Sequence, residues 1–91
     1  MPGFHYVYVL RSLRDGLLYI GSTNDLKERF AMHNRGLIDS TRPRRPFELI
    51  FYESYRDVHD TKRREIYVKT SKGKTTLRSM LKEFLLTPRL L

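Results

Sequence analysis

Two runs of β-branched and aromatic residues, His5 to Arg11 (HYVYVLR) and Leu17 to Ser22 (LLYIGS), stand on either side of Asp15-Gly16. Such a dipeptide between two such runs predicts a β-hairpin. The hairpin must share its core with everything else. A chain of 91 residues buries only about 60 to 65% of its unfolded surface on folding, so one core carries most of the stability. The expectation is one domain over residues 1–86, with residues 87–91 a frayed tail, and no separately folded specificity module. After the hairpin, Ser22 to Asp25 supplies N-cap residues for a helix over about 24–35, in which Leu26, Phe30, His33 and Leu37 recur at helical spacing and Gly36 offers a stop. Arg35 to Pro46 reads as an exposed basic loop. Phe47 to Tyr55 is a third strand. Asp57 caps a helix to about Thr70, Ser71-Lys72-Gly73 breaks it, and Thr75 to Leu86 forms a last amphipathic helix. The order predicts an α+β fold, a small, mainly antiparallel sheet covered by helices.

Composition narrows the partner. The sequence holds 18 Lys and Arg against 10 Asp and Glu, a formal charge of +8, and the excess is shared evenly by the two halves. With 40% hydrophobic residues the chain has enough apolar material for a core, so the charge belongs to a folded body. One cluster is Arg35, Arg42, Arg44 and Arg45; another runs from Lys62 and Arg63 through Lys69, Lys72 and Lys74 to Lys82. A polyanion is the natural partner, and nucleic acid is favoured. The absence of cysteine removes disulfides, thiol nucleophiles and thiolate metal sites, and makes a reducing, cytoplasmic setting the expectation. No apolar run approaches the roughly 20 residues of a membrane span, and no signal-peptide pattern opens the chain.

Three constellations suit chemistry better than packing alone. A hairpin loop of two or four residues pairs even positions of the first strand with odd positions of the second, which puts Tyr8 and Tyr19 on one face beside Gly21. Arg29 and His33, one helical turn apart, can hold a phosphate through a planar fork and a proton-sharing ring. Glu65 lies in the middle of a packing face made by Val58, Thr61 and Val68. Desolvating its carboxylate requires a basic partner such as Arg29 or Lys69, or a metal ion. A hard cation such as Mg²⁺ can be held by one carboxylate, with waters and phosphate oxygens completing its shell. The histidines His5, His33 and His59 lack metal-ligand spacing, and no phosphate-cradling glycine loop or nucleophile elbow is present.

In order and spacing these residues resemble the GIY-YIG nuclease superfamily, in particular its small stand-alone members. Tyr6-Val7-Tyr8-Val9-Leu10 matches the first motif, with Tyr6 where the family name has glycine. Leu18-Tyr19-Ile20-Gly21-Ser22-Thr23 matches the second. Leu26-Lys27-Glu28-Arg29 followed by His33-Asn34 matches the helical motif, and Glu65 falls at the metal-binding glutamate. Arg42 to Phe47 is also similar to the stand-alone members. The resemblance implies a three-stranded antiparallel sheet flanked by about three helices, and hydrolysis of nucleic-acid phosphodiesters with Mg²⁺ or another divalent cation such as Mn²⁺. It implies Tyr19 as base or water-orienting group with Tyr8 beside it, Arg29 as transition-state stabiliser, His33 as an assisting proton relay and Glu65 as metal ligand. A phenol is a poor base at neutral pH, so that role requires cationic surroundings. Arg42, Arg44, Arg45, Lys69, Lys72 and Lys74 are expected to grip phosphate backbone. The expected activity is therefore an endonuclease of low sequence selectivity, acting on DNA in preference to RNA, selective for structure in repair or recombination, and guided to its target by shape, charge or a protein partner. The competing reading is a non-catalytic nucleic-acid-binding module that keeps the fold and offers Tyr8, Tyr19 and Tyr52 for base stacking.

Overall fold

The computed structural model describes residues 3–87, so all but the first residue of the tail expected over 87–91 lies outside the described residues. Strands β1 (His5–Ser12), β2 (Leu18–Thr23) and β3 (Phe47–Tyr55) form one antiparallel sheet in the order β2-β1-β3. Its helices are α1 (Leu26–Asn34), α2 (Val58–Lys69), α3 (Ser71–Met80) and α4 (Lys82–Leu86), and a 3₁₀ turn covers Arg42–Arg44. None of the described helices is long and apolar enough to cross a membrane.

The hairpin closes through its own side chains. Ser12 Oγ accepts hydrogen bonds from the amides of Arg14 and Asp15 at 3.1 and 3.0 Å, Asp15 Oδ1 accepts from the Leu17 amide at 2.9 Å, and Gly16 takes the left-handed φ of +75° that the turn needs. The resulting register sets Tyr8 opposite Gly21 and Leu10 opposite Tyr19. Even positions of β1 therefore face the same way as odd positions of β2. On β3 a bulge follows, since Val9 pairs with Phe51 but Leu10 with Leu49.

The alternation divides the core in two. Val7, Val9 and Ile20 pack with Val68 of α2 and Leu77 of α3 on one face of the sheet. On the other face Tyr8, Leu10 and Phe47 pack with Leu26 and Phe30 of α1. The start of α1 is capped by Asp25 Oδ1, which accepts from the Glu28 amide at 3.1 Å, and its end by Gly36 at φ +76°. Asn34 then clamps the returning chain, donating to the Phe47 carbonyl at 3.0 Å and accepting from its amide at 2.7 Å.

Two expectations change. The break after α2 is Thr70 alone, which donates to the Tyr67 carbonyl at 2.7 Å and accepts from the Gly73 amide at 3.0 Å, so Ser71 to Gly73 belong to α3. Gly73 serves close approach instead of a break. A Cβ there would lie 2.6 Å from the Tyr67 carbonyl carbon and 2.7 Å from Val68 Cα. The last helix is also divided, because Leu81 leaves helical geometry to pack on the core.

Gly73→Ala should lower stability by about 1–3 kcal/mol, the usual range for an overpacked site, measured as a drop in the urea midpoint. An unchanged or higher midpoint would show that α2 and α3 can separate freely.

Candidate active site

Tyr8 projects from the middle of β1 and is 1% exposed. Its ring leans over the edge-strand glycine opposite it, where a Cβ on Gly21 would lie 2.6 Å from the Tyr8 hydroxyl. Glycine is thus required by the tyrosine on the neighbouring strand. Burial of a phenol demands a hydrogen-bond partner. His33, on the inner face of α1 and fully buried, meets the Tyr8 hydroxyl through Nε2 at 2.8 Å, and its Nδ1 lies 2.8 Å from Thr41 Oγ1. The Thr41 hydroxyl donates to the Ile38 carbonyl at 3.4 Å, which leaves Oγ1 to accept from Nδ1–H and Nε2 to accept from Tyr8.

The electrostatics agree with this direction. Burial holds the His33 ring down at about 4, reinforced by the nearby Arg29 cation, so the ring is neutral at physiological pH. Burial also pushes the Tyr8 phenol up; the nearby Arg29 guanidinium opposes this, while Tyr19 and Glu65 add to it. Tyr8 therefore keeps its proton at neutral pH and hands it to His33 as a hydrogen bond. The Tyr19 ring is half-buried, 5.0 Å from the His33 ring and 6.3 Å from that of Tyr8. Arg29 is half-buried as well, and its buried Nε has no hydrogen-bond partner among the described residues. An anion that accepts from this guanidinium would satisfy it.

Glu65 arrives from α2, on the opposite side of the sheet, and reaches the edge strand. Ser22 Oγ donates to its Oε1 at 2.6 Å, Lys69 Nζ to its Oε2 at 2.9 Å, and Lys62 Nζ lies 3.4 Å from Oε1 and 2.8 Å from Ser22 Oγ. Burial by itself raises this carboxyl, but Ser22, Lys69 and Lys62 more than offset it and hold it below the ordinary range. The side chain is 13% exposed, while the two lysines around it are more than half exposed. Their ammonium groups occupy the place of a cation. Glu65 and Ser22 present oxygens of the kind that a hard divalent ion takes, while among the described residues no cluster of three or more His, Cys, Asp or Glu could hold a metal.

The residues expected to grip phosphate have mixed surroundings. Arg42 pairs with Asp39 and donates to the Gly36 carbonyl at 2.9 Å; Arg44 pairs with Asp15 at 2.8 Å and stacks on Phe47; Arg45 donates to the Arg42 carbonyl at 3.0 Å. These three fasten the basic loop to the hairpin and to itself. Lys69 is joined to Glu65, whereas Lys72 and Lys74 stand exposed on α3. The loop is not exposed throughout, since Thr41 is fully buried against His33. Sequence reading missed Thr41 and Ser22. Nothing local marks Thr41, but Ser22 follows Gly21 in the second motif and alternates onto the α2 side of the sheet.

The neutral His33 gives the fold an acid sensitivity. Its pKa rises from about 4 in the native state to about 6.5 in the unfolded chain, so the unfolded state binds more protons between these values and stability falls as pH falls. From pH 6.5 to 5, above the ordinary carboxylate range, the loss should be roughly 2 kcal/mol at 1.36 kcal/mol per unit. Urea denaturation across this interval should show the loss in the wild type and a much flatter profile in His33→Gln. Parallel profiles would mean that His33 is protonated in the fold.

The chain matches the family model described as the GIY-YIG catalytic domain over residues 4–78. It is 43% identical over 67 residues to a UPF0213 protein of Bacillus pumilus, covering 72% of this chain and 67% of that one. It is also 36% identical over 80 residues to a UPF0213 protein of Staphylococcus aureus, covering 87% and 95%. The solution NMR structure of a UPF0213 protein from Bacillus halodurans is similar at 34% identity and a TM-score of 0.53, over 85% of this chain and 84% of that one. With the tyrosine pair, the arginine, the histidine and the glutamate on the matched segment, the chain belongs to the GIY-YIG nuclease family.

Proposed function

We propose that this protein is a divalent-cation-dependent endonuclease that hydrolyses nucleic-acid phosphodiesters, DNA in preference to RNA, with low sequence selectivity. The reading rests above all on one arrangement: the buried Tyr8–His33–Thr41 relay lies against Tyr19 and an Arg29 whose Nε has no partner among the described residues.

Arg29 fits the role of receiving the scissile phosphate, because its guanidinium donates to phosphoryl oxygens that gain negative charge in the transition state. Tyr19, unlike Tyr8, has no hydrogen-bond partner for its hydroxyl among the described residues, which suits it to orient the attacking water or take its proton. Tyr8 and His33 form the support behind it: the neutral imidazole accepts the hydrogen bond of the Tyr8 hydroxyl, which leaves the phenol oxygen free to accept from a neighbouring donor. Glu65, with Ser22 beside it, would hold the divalent ion, which when bound supplies charge to polarise the phosphate and favour the leaving oxygen. Lys62 and Lys69 neutralise Glu65 until then, and their exposed stems can swing away.

Low selectivity follows from the character of the basic surface. Lys72 and Lys74 offer exposed, flexible cations suited to phosphate, and phosphate contacts position without reading sequence. Target choice then falls to nucleic-acid shape, such as the branched or damaged structures of repair and recombination, or to a protein partner in the cytoplasm.

Plasmid, branched and single-stranded oligonucleotides should be cut with Mg²⁺ and left intact with chelator. Glu65→Ala and Arg29→Ala should each lower the rate by about 10²–10³, the scale of a lost transition-state donor, while circular dichroism stays native. Cutting that survives both substitutions would refute the site, and salt-dependent binding without any cutting would favour the binding-module reading.

A further inference from the structure

A groove of about 690 Å³ lies beside the candidate catalytic residues, between α1 and the β3 side of the sheet. Its walls are Tyr6 and Tyr52 from the sheet and Leu26 and Phe30 from α1, with Asn24 and Lys27 at the mouth. Asp25 also borders it, but its carboxylate is already engaged as the cap of α1. Tyr8 is buried and so withdrawn from stacking. Tyr52, its register partner on β3, is 53% exposed and meets the Tyr6 ring edge-on with centroids 6.0 Å apart. The motif position that carries tyrosine where the family name has glycine is thus a wall of this groove.

A second groove, about 230 Å³, shares Asn24 with the first and runs past Ser22 to Lys62. Both of these residues contact Glu65. The two grooves share Asn24, the first walled by aromatic rings and the second by Ser22 and Lys62, which are partners of Glu65. Along the sheet, Gly21, Tyr8 and Tyr52 are register neighbours, so Tyr52 lies about two strand spacings, roughly 9.5 Å, from the edge strand that carries Tyr19 and Ser22.

We propose that the groove between α1 and β3 holds an unpaired nucleobase of the strand to be cut, stacked on Tyr52, so that single-stranded or flapped nucleic acid is preferred over continuous duplex. The charge of +8, with Lys27 at the mouth, complements the phosphate attached to such a base. A base within a duplex has both faces stacked and cannot enter, whereas an unpaired base offers a π-face to an aromatic ring without sequence preference. The proposal deepens the nuclease reading by naming its substrate form, but its test does not depend on cutting.

The experiment is fluorescence anisotropy in chelator, at fixed salt, with a labelled oligothymidylate and a labelled blunt hairpin duplex. Tyr52→Ala should weaken the single strand roughly 5- to 150-fold, the factor corresponding to one stacked base, and the duplex by less than about twofold. Tyr52→Phe, which keeps the stacking face, should hold single-strand affinity near that of the wild type. A 2-aminopurine placed in the oligonucleotide should lose fluorescence with wild type and Tyr52→Phe but not with Tyr52→Ala. Equal losses on both probes, or none on either, would overturn the proposal. So would sedimentation showing that Tyr52→Ala dissociates a dimer, since a second copy would then be the occupant. If wild type binds with the expected preference yet never cuts with Mg²⁺, the nuclease reading fails and the groove assignment stands.

Discussion

A phenol cannot be sealed inside a small protein without somewhere for its hydroxyl to go, and the solution found for Tyr8 organises the site. Its ring requires the space that only Gly21 leaves, which fixes the edge strand beneath it. Its hydroxyl requires His33, which brings α1 onto that face at one rotation. His33 in turn requires Thr41, which draws the middle of a long basic loop into the interior. An unpaired buried polar group costs about 1–3 kcal/mol, so each step of the relay is enforced by the one before it. The same burial keeps the imidazole neutral, so that Nε2 accepts the Tyr8 hydrogen bond.

Glu65 shows the other way of managing a charge at the boundary of a core. It comes from the helix layer opposite α1, and two lysines and a serine hydroxyl compensate its desolvation. The candidate site is consequently divided across the edge of the sheet, with tyrosines, arginine and histidine on one side and the carboxylate on the other. The positive charge is also of two kinds: loop arginines, which are occupied in holding the loop, and Lys72 and Lys74, which stand exposed on α3. A net charge of +8 overstates the number of cations available to a ligand.

Much of the fold could be read directly from residues. The Asp-Gly dipeptide between apolar runs gave the hairpin, the even-odd parity of its loop gave the shared face of Tyr8 and Tyr19, and Asp25, Gly36 and Asp57 marked helix ends, because turn and capping preferences act over a few residues. The motif residues Tyr8, Tyr19, Arg29, His33 and Glu65 were legible through their order and spacing. Gly73 misled, since a glycine that breaks a helix and one that lets two helices touch look alike in sequence. Leu81 misled likewise, because an apolar residue at helical spacing does not reveal that it must leave the helix to reach the core.

The sequence alone therefore determined the strands, the main helices and the residue types available for phosphodiester chemistry. Only the tertiary structure decided that His33 is buried and neutral, that Thr41 completes its relay, that Ser22 and two lysines surround Glu65, and that an aromatic groove opens beside the site. The physical reason is range. Caps, turns and alternation are settled between neighbours, whereas burial and the pairing of polar groups depend on how α1 and the 35–46 loop return across the sheet, bringing together residues far apart in the chain.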